Sequence, residues 1–361
     1  MTWPDAAYPA VPYPGAVPPT SYVHDDGVGH PLVHDASACS GWRTGPGGTD
    51  LDTWLAERRA PALAGHMPVL TYGSNRNPSK ISWLRRELGL RGPVVVLRAR
   101  TEGVSAVWAH GLRVVDDQRP AVLAAAPGTR EEHSVWFATG QQLDVLDVCE
   151  GRGSGRYRLA RLHTGTVTTE DGAVLDDVLA YLGRAEIRRP LLVDGARVPC
   201  SAVGQTAARA LAGEPGPGDG LDATTVEGNP APEDWPARLF VYGSLQPGGR
   251  AWGRLAPALA GEPHRATLPG TLLDTGFGYP AMLREPGPGV PGWMIPVRDP
   301  AALLPELDAY EGPQYVRVRV VMPETGEVCW AYVWTAGVAG FRPVSGGWPD
   351  RHSARRASPA G

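Results

Sequence analysis

The sequence predicts a mixed α/β (α+β) protein of two homologous small domains, each a bent, antiparallel-rich sheet or barrel with short helices. The length of 361 residues is more than one hydrophobic core usually needs. The same series of segments occurs twice along the chain. Most apolar runs are short, β-branched or aromatic, and end at Gly or Pro, which favours a strongly curved sheet enclosing a pocket.

The repeated series begins with an apolar run that ends in Tyr-Gly-Ser, at 68–75 (PVLTYGSN) and at 239–245 (LFVYGSL). A Pro-Ala strand follows, PAVLAAAPG in the first copy and PAMLREPGP in the second. A helical segment then ends in Leu-Asp-x-x-Glu-Gly, which contains Glu150 or Glu311, and a strand with VLAYL or CWAYVW closes each copy. Because the order matches throughout, two related domains explain the repeat better than a chance motif.

Composition sets the expected boundaries. The stretch before residue 50 is rich in Pro, Gly and Asp and has no helical or strand periodicity, which is typical of a flexible tail. A second such stretch, GEPGPGDGLDATTVEGNPAPEDWP, has the composition of a linker. The predicted organisation is a tail at 1–49, domain 1 at 50–212, a linker at 213–236, domain 2 at 237–340 and a polar tail at 341–361, and we expect both tails to be dispensable.

Charge and cysteine content exclude several classes of partner. The formal net charge of -4 gives no basic footprint for nucleic acid and no polybasic membrane patch. No apolar run approaches the ~18 residues of a spanning helix, and the N-terminus lacks the pattern of a signal peptide. Isolated cysteines argue against a zinc site or disulfides and fit a reducing cytoplasm: Cys39, Cys149, Cys200 and Cys329. Oligomeric state stays open.

One N-terminal segment, VHDDGVGHPLVHD, collects possible metal ligands. Its spacing matches no rigid metal site, and ligands on an unstructured segment would bear their own ordering entropy. A solvated tail is the favoured interpretation and a metal cluster the alternative. The residues concerned are His24, Asp25, Asp26, His30, His34 and Asp35.

Local patterns place the repeated motifs on elements. Val69 to Tyr72 has the pattern of a short buried strand, and Asn77-Pro78-Ser79 is a helix start. We expect PVVVLRARTEG, SAVWAHG, PAVLAAAPG and HSVWFAT to form separate strands. Residues 140–149 are predicted to form a helix that ends just before Glu150, with Gly151 as its C-cap.

The series as a whole resembles the gamma-glutamylcyclotransferase superfamily, including its AIG2-like and gamma-glutamylamine members, over about 67–196 and 238–337. The second copy carries FVYGSLQPGG, GYPAML and LDAYEGPQYVRVRV and is close to the family pattern. The first copy, with TYGSNRNP and EGRGSGRY, is closer to a YGSN branch. The first copy departs from the family pattern in two ways. Arg119 precedes its Pro-Ala pair, where the second copy has Tyr279, and its middle part is longer and rich in Arg. Its substrate and activity therefore stay open.

The resemblance implies an enzyme in which the α-amine of a gamma-glutamyl group attacks its own gamma-carbonyl and forms 5-oxoproline. Glu311 and Glu150 would be the catalytic acid/base residues, and neither a metal nor an organic cofactor would be needed. The partner would be a small gamma-glutamyl molecule. Its leaving group stays open among an amino acid, a polyamine-like or lysyl amine, and a protected biosynthetic intermediate.

The resemblance also places substrate against the Tyr-Gly-Ser loops and the tyrosine after each acid. Backbone N–H groups after Tyr72 and Tyr242 would hold an oxyanion or the α-carboxylate. The candidate binding residues are Tyr242, Gly243, Ser244, Leu245 and Tyr315 in the second copy, and Tyr72, Gly73, Ser74, Asn75 and Tyr157 in the first.

Plainer alternatives exist for these residues. A glutamate beside a glycine is commonly a capping or surface carboxylate, and Tyr157 and Tyr315 would serve equally well as core aromatics. The alternative for the whole chain is a non-catalytic or half-catalytic tandem binding module that recognises a gamma-glutamyl-like metabolite.

Overall fold

A computed structural model of the protein describes residues 2–348, which form two compact units. The first unit comprises residues up to 33, 44–49 and 53–230. The second comprises residues 34–43 and 50–52 together with the chain from 231 onward.

Strands dominate the chain up to Pro230, and its helices are short. Strands β1 to β14 span Trp3–Pro4, Tyr22–Asp25, Val28–His34, Trp42–Thr44, Met67–Thr71, Val94–Trp108, Ala121–Ala138, Tyr157–Leu162, Thr166–Thr169, Leu179–Gly183, Leu191–Val193, Ala196–Arg197, Glu214–Pro215 and Ala223–Thr225. Helices α1 to α4 span Leu51–Ala56, Pro78–Leu88, Gly140–Glu150 and Gln205–Ala210. Single 3-10 turns lie at Asp5–Ala7, Leu63–Gly65, Ser74–Arg76 and Glu186–Arg188.

From Ala231 onward the same kinds of element recur in a shorter chain. Strands β15 to β22 span Arg238–Val241, His264–Leu268, Thr271–Asp274, Pro280–Leu283, Val290–Pro296, Tyr315–Val321, Val328–Trp334 and Arg342–Pro343. Helices α5 and α6 span Trp252–Leu255 and Pro300–Glu311, and 3-10 turns lie at Pro232–Asp234 and Ala256–Ala258.

The central part of each main sheet has the same strand order. In the first unit the order includes β7-β5-β10-β8, and in the second it includes β19-β15-β21-β20. The strand that enters the Tyr-Gly-Ser loop pairs in parallel with the closing strand in both, with Leu179 beside Val69 and Leu239 beside Trp330. All other pairings in these two orders are antiparallel.

The predicted mixed, sheet-rich α+β fold with few short helices is confirmed. Over residues 2–348 neither main sheet closes on itself, so the barrel alternative is not the one adopted. The shared strand order agrees with a repeated plan, while the homology of the two domains and their exact boundaries stay predictions.

Two pairs of predicted strands each merge into one long strand. PVVVLRARTEG and SAVWAHG both lie in β6, and PAVLAAAPG and HSVWFAT both lie in β7. The pairing of β6 with β7 shifts register between Glu102 and Val104. Gly103 between them has φ +87°, a backbone conformation that glycine adopts without steric cost. The glycine therefore bends the ladder without ending it.

The prediction of a flexible tail over residues 1–49 disagrees with the structure. Strand β2 pairs with β6, and Tyr22, Val23 and His24 are almost fully buried. The Pro-, Gly- and Asp-rich composition concealed this strand, because only a short apolar stretch enters the sheet. The stretch predicted as a linker, 213–236, also contributes a strand, since β14 pairs with β8.

Two of the N-terminal Asp residues form ion pairs with arginines. Asp25 lies 3.0 Å from Arg58, and Asp35 lies 2.6 Å from Arg43. Within residues 2–348 no group of three or more His, Cys, Asp or Glu is placed to hold a metal ion, and all cysteines there are free thiols. Every helix in that range is too short or too polar to cross a membrane. Of the predicted polar tail, residues 349–361 lie outside the described residues.

Candidate active site

Glu311 is the last residue of α6, whose position follows from its sequence. The helix begins at Pro300 after the N-cap Asp299, whose side chain accepts a hydrogen bond from the N–H of Ala302. Leu303, Leu304 and Leu307 lie on the buried face. Gly312 has φ +79° and its N–H donates to Asp308, which ends the helix immediately after the glutamate. The carboxyl group is therefore carried by a rigid helix end.

Asp308, one turn earlier, fixes that helix end to the sheet. Its Oδ1 accepts a hydrogen bond from the hydroxyl of Tyr332 at 2.7 Å. The guanidinium of Arg317 donates to both carboxylate oxygens, at 2.9 and 3.1 Å. A two-point bond of this kind restrains direction as well as distance, so Asp308 orients the turn that presents Glu311.

The environment of Glu311 favours its protonated form. Its side chain is half-buried, and burial raises the pKa of its carboxyl from 4.5 to about 7. The charge of Glu311 in turn adds to the effect of burial in raising the pKa values of Tyr242 and Tyr315. Both tyrosines are therefore within electrostatic range of the carboxyl. A carboxyl with a pKa near neutrality can both accept and return a proton.

The loop after β15 lies beside this acid and is held by side chains. Tyr242 donates from its hydroxyl to the carbonyl oxygen of Tyr332 at 2.8 Å. Gln246 donates from its amide to the carbonyl oxygens of Tyr242 and Gly243, both at 3.1 Å. The hydroxyl groups of Ser244 and Tyr310 are hydrogen-bonded at 2.8 Å, and Tyr310 directly precedes Glu311.

The backbone of this loop offers hydrogen-bond donors. Gln246 occupies the carbonyl oxygens of Tyr242 and Gly243. The N–H groups of Ser244 and Leu245 have no hydrogen-bond acceptor among residues 2–348. Such paired N–H groups can stabilise an oxyanion or a carboxylate. The side chain of Leu245 is buried, so this residue offers only its backbone.

Tyr315 lies on the strand after the acid and is also held in place. Its hydroxyl donates to the carbonyl oxygen of Pro280 at 2.6 Å, and its ring contacts Trp334 edge-on at 5.1 Å between centroids. Tyr279 and Phe341 also lie against Trp334. These four aromatic side chains form a wall, and Tyr315 within it lies in electrostatic range of Glu311. Beside Tyr310 a surface cleft is lined by Arg250, Ala251, Gly253 and Arg254.

Glu150 in the first unit occupies the corresponding helix end. Helix α3 begins after Thr139, which forms a capping box with Gln142, and ends at Gly151 with φ 69°. Tyr181 donates to Oδ1 of Asp147 at 2.7 Å, the counterpart of the Tyr332–Asp308 bond. The hydroxyl of Tyr72 donates to the carbonyl of Tyr181, just as Tyr242 does to Tyr332.

The electrostatics of Glu150 differ from those of Glu311. Burial raises the pKa of Glu150, but the side-chain amide of Asn75 donates to its Oε1 at 2.7 Å and opposes that rise. Three cations act in the same direction as Asn75: Lys80, Arg156 and Arg113. The net effect still raises the pKa of Glu150, but an amide and three cations oppose the effect of burial there, whereas burial alone acts on Glu311.

Arg119, the residue of the first copy that departs from the family pattern, forms hydrogen bonds with backbone carbonyl groups. Its guanidinium donates to the carbonyls of Ala208 and Ala109, both at 2.7 Å, and of Leu211 at 2.9 Å. It ties the end of α4 to the chain ahead of the Pro-Ala strand. Tyr279, its counterpart, instead stacks at 6.3 Å on Phe277.

The candidate residues thus gather in two separate clusters, one in each unit. Tyr157 is buried and lies 3.4 Å from the carbonyl oxygen of Ala121, and Gly73 and Ser74 are half-buried in the loop after β5. The sequence analysis missed the paired anchors, which are Asp147 with Tyr181 and Asp308 with Tyr332. The sequence did contain a signal for these anchors. In both copies the aspartate is the Asp of Leu-Asp-x-x-Glu, and the tyrosine is the Tyr of Ala-Tyr in the closing strand.

Comparison with known proteins bears on the second unit. Residues 239–350 match the family model described as gamma-glutamyl cyclotransferase, AIG2-like. The resemblance of this segment to the family is confirmed. A search of the curated proteins finds no match to the chain.

Several solved structures resemble parts of the chain. An uncharacterized human protein is 20% identical over 34% of this chain and 68% of its own, with a TM-score of 0.28. A gamma-glutamyl cyclotransferase is 21% identical over 32% of this chain and 66% of its own, with a TM-score of 0.27. YkqA from Bacillus subtilis is 16% identical over 75% of this chain and 84% of its own, with a TM-score of 0.24.

Proposed function

We propose that the second unit is a cyclotransferase that releases 5-oxoproline from a gamma-glutamyl amino acid or amine. The observation that carries this proposal is Glu311, a helix-end carboxyl whose pKa is raised to about 7 by burial, beside a loop with unused backbone N–H groups. The family match over residues 239–350 supports the same reaction class.

The chemistry needs one group that moves protons. Glu311, as carboxylate, accepts a proton from the α-ammonium of the substrate, and the free amine attacks the gamma-carbonyl carbon. The N–H groups of Ser244 and Leu245 stabilise the negative oxygen of the tetrahedral intermediate. When the bond from that carbon to the leaving nitrogen breaks, protonated Glu311 gives its proton to this nitrogen. The ring nitrogen still carries two hydrogens after the attack and loses one of them to the regenerated Glu311 carboxylate, which passes it to the released amine or to solvent. The products are 5-oxoproline and an amine, and no water is consumed.

Holding the substrate folded supplies much of the acceleration. Nucleophile and electrophile belong to one molecule, and effective molarities of well-oriented cyclisations reach on the order of 10⁵ M or more. In the second unit the aromatic wall formed by Tyr279, Tyr315, Trp334 and Phe341 restricts the space available to the substrate chain.

The first unit supports a second candidate, a half-catalytic chain in which this unit binds a gamma-glutamyl-like metabolite without turning it over. The side-chain amide of Asn75 donates to Oε1 of Glu150 at 2.7 Å, so one carboxylate oxygen is already occupied. An acid engaged in this way is less free to take a proton from a substrate ammonium.

The deciding experiment incubates the purified full chain, in EDTA, with a panel of gamma-glutamyl amino acids and amines. We expect 5-oxoproline from at least one member, together with an equal amount of free amine. Binding of panel members without 5-oxoproline would reject the enzyme and favour the tandem binding module.

A further inference from the structure

The N-terminal segment 8–16 is docked on the first unit through a buried asparagine. Asn77, which is fully buried, donates from its side-chain amide to the carbonyl oxygens of Tyr8 and Pro9 at 3.1 Å and of Ala16 at 2.6 Å. Its Oδ1 also accepts from the N–H of Lys80 at 2.7 Å and begins α2. One side chain therefore starts the helix and holds both ends of the segment.

Tyr13 lies at the centre of this segment and points its hydroxyl into the loop after β5. The N–H of Ala121 donates to the Tyr13 hydroxyl at 3.0 Å, and the N–H of Tyr13 donates to Gln118 at 3.0 Å. The hydroxyl oxygen lies 2.7 Å from the position that a Cβ on Gly73 would take. Only glycine at this position lets the phenol approach so closely.

The phenol lies among the candidate residues of the first unit. Burial raises the pKa of Tyr72, and nearby Tyr157, Glu150 and Tyr13 add to that rise. Tyr13 is itself 7% exposed. Tyr13 is therefore packed against the loop glycine and the start of the Pro-Ala strand, within electrostatic range of Tyr72.

The second unit differs at the corresponding point. A Cβ on Gly243 would meet the ring of Pro280 at 3.2 Å, and apart from its chain neighbours no aromatic side chain of residues 2–348 lies within 4 Å of it. The shared helix-end and loop geometry is thus present in both units, but only the first contains a phenol over its loop glycine.

We propose that the segment 8–16 is an internal occupant of the first unit's pocket, in which Tyr13 takes the place of a ligand and must leave before one binds. The proposal rests on the proposed function in one respect, that the pocket is of the gamma-glutamyl type. It makes ligand binding by the first unit conditional on undocking, because the apparent affinity falls with the fraction of open molecules.

The test uses the full chain with Tyr13→Ala and the panel of gamma-glutamyl amino acids and amines, with 5-oxoproline added as a product probe. Binding is measured by calorimetry, and hydrogen exchange of residues 70–77 reports whether a ligand binds at the first unit. We expect affinity at that unit to rise at least about tenfold, which corresponds to a segment docked in about nine of ten molecules or more.

A second variant guards against misfolding. Gln118→Ala removes the anchor of the Tyr13 N–H without touching the pocket, and it should raise the same affinity by a smaller factor. Val11→Ala is the matched control, because this side chain of the segment is 67% exposed and should change nothing.

The outcomes separate the two proposals. Unchanged or weaker binding at residues 70–77 in both Tyr13→Ala and Gln118→Ala would overturn the internal occupant, and weaker binding would make Tyr13 part of the ligand site. Failure of the parent chain to release 5-oxoproline would reject the proposed function, while tighter binding in Tyr13→Ala would still support the occupant.

Discussion

The hydroxyl of Tyr332 donates to Oδ1 of Asp308 at 2.7 Å, one helical turn before Glu311. The tyrosine is buried on the closing strand, whereas the aspartate is at the end of a helix whose cap is a single glycine. The bond therefore ties the helix end that carries Glu311 to the closing strand of the sheet. Its counterpart in the first unit, from Tyr181 to Asp147, has the same length.

We expect Tyr332→Phe to lower kcat for 5-oxoproline release about three- to tenfold, because a small displacement of the acid misaligns proton transfer. KM should change less, since the loop and Tyr315 are left in place. Unfolding free energy should fall by about 1 kcal/mol for the lost hydrogen bond. Steady-state kinetics and urea unfolding measure these effects.

Tyr181→Phe is the matched control for that variant. It removes the equivalent bond in the first unit and should cost a similar free energy of unfolding while leaving kcat unchanged. An equal loss of kcat in both variants would mean that the bond acts through general stability and not by positioning Glu311.

The pH dependence of the reaction should follow the ionisation of Glu311. With its pKa raised to about 7, the carboxylate needed for proton removal becomes scarce below neutrality. We expect kcat/KM to fall about tenfold per pH unit below pH 7 and to level off above it until other groups ionise. Initial rates between pH 5 and 8.5 give the profile, and an acidic limb centred near 4.5 would contradict this assignment.

Stability should depend on the same group with a defined sign. The folded chain keeps the Glu311 proton up to about pH 7, whereas the unfolded chain releases it near 4.5. The resulting stabilisation is complete below pH 4.5 and is lost as pH rises through 7. Glu311→Gln removes this dependence, so relative to the parent it should gain on the order of 1 to 2 kcal/mol between pH 5 and 8.

Urea unfolding of both proteins at pH 5 and pH 8 measures that difference. Glu324→Gln, a change at an exposed carboxylate of the same unit, should show no comparable gain. A Glu311→Gln variant whose relative stability does not change with pH would show that the acid is solvated in the folded state.

The repeated motifs were sufficient to predict the mixed fold and the helix ends that carry Glu150 and Glu311. Local periodicity could not show that β6 and β7 are each one strand. In the sequence Gly103 looks like a turn between two strands, but in the structure it forms a bulge within one strand. Nor could it place Tyr13, whose burial depends on Asn77, a residue far along the chain. A polar segment that is held by contacts with a distant part of the chain has no periodic pattern of apolar residues to reveal it.

The strongest prediction distinguishes the two acids. Glu311→Gln keeps the shape and the hydrogen-bonding capacity of the side chain but cannot accept the proton, so we expect 5-oxoproline release to fall at least about a hundredfold. Glu150→Gln should leave this release largely unchanged, because Glu150 is held by Asn75 and the docked Tyr13 lies within electrostatic range of it.

Both variants are assayed on whichever panel compound the parent chain turns over fastest, with circular dichroism and unfolding midpoints to establish that each is folded. If each variant loses about half of the rate, the units are redundant. If only Glu150→Gln is inactive, the first unit is the enzyme, and both the role of Glu311 and the passive state of the first unit are wrong. A second activity, on a different gamma-glutamyl compound and lost only in Glu150→Gln, would instead mean that both units are enzymes with different substrates. Glu311, with its pKa of about 7, would serve one substrate, and Glu150, with its neighbouring cations, would serve the other.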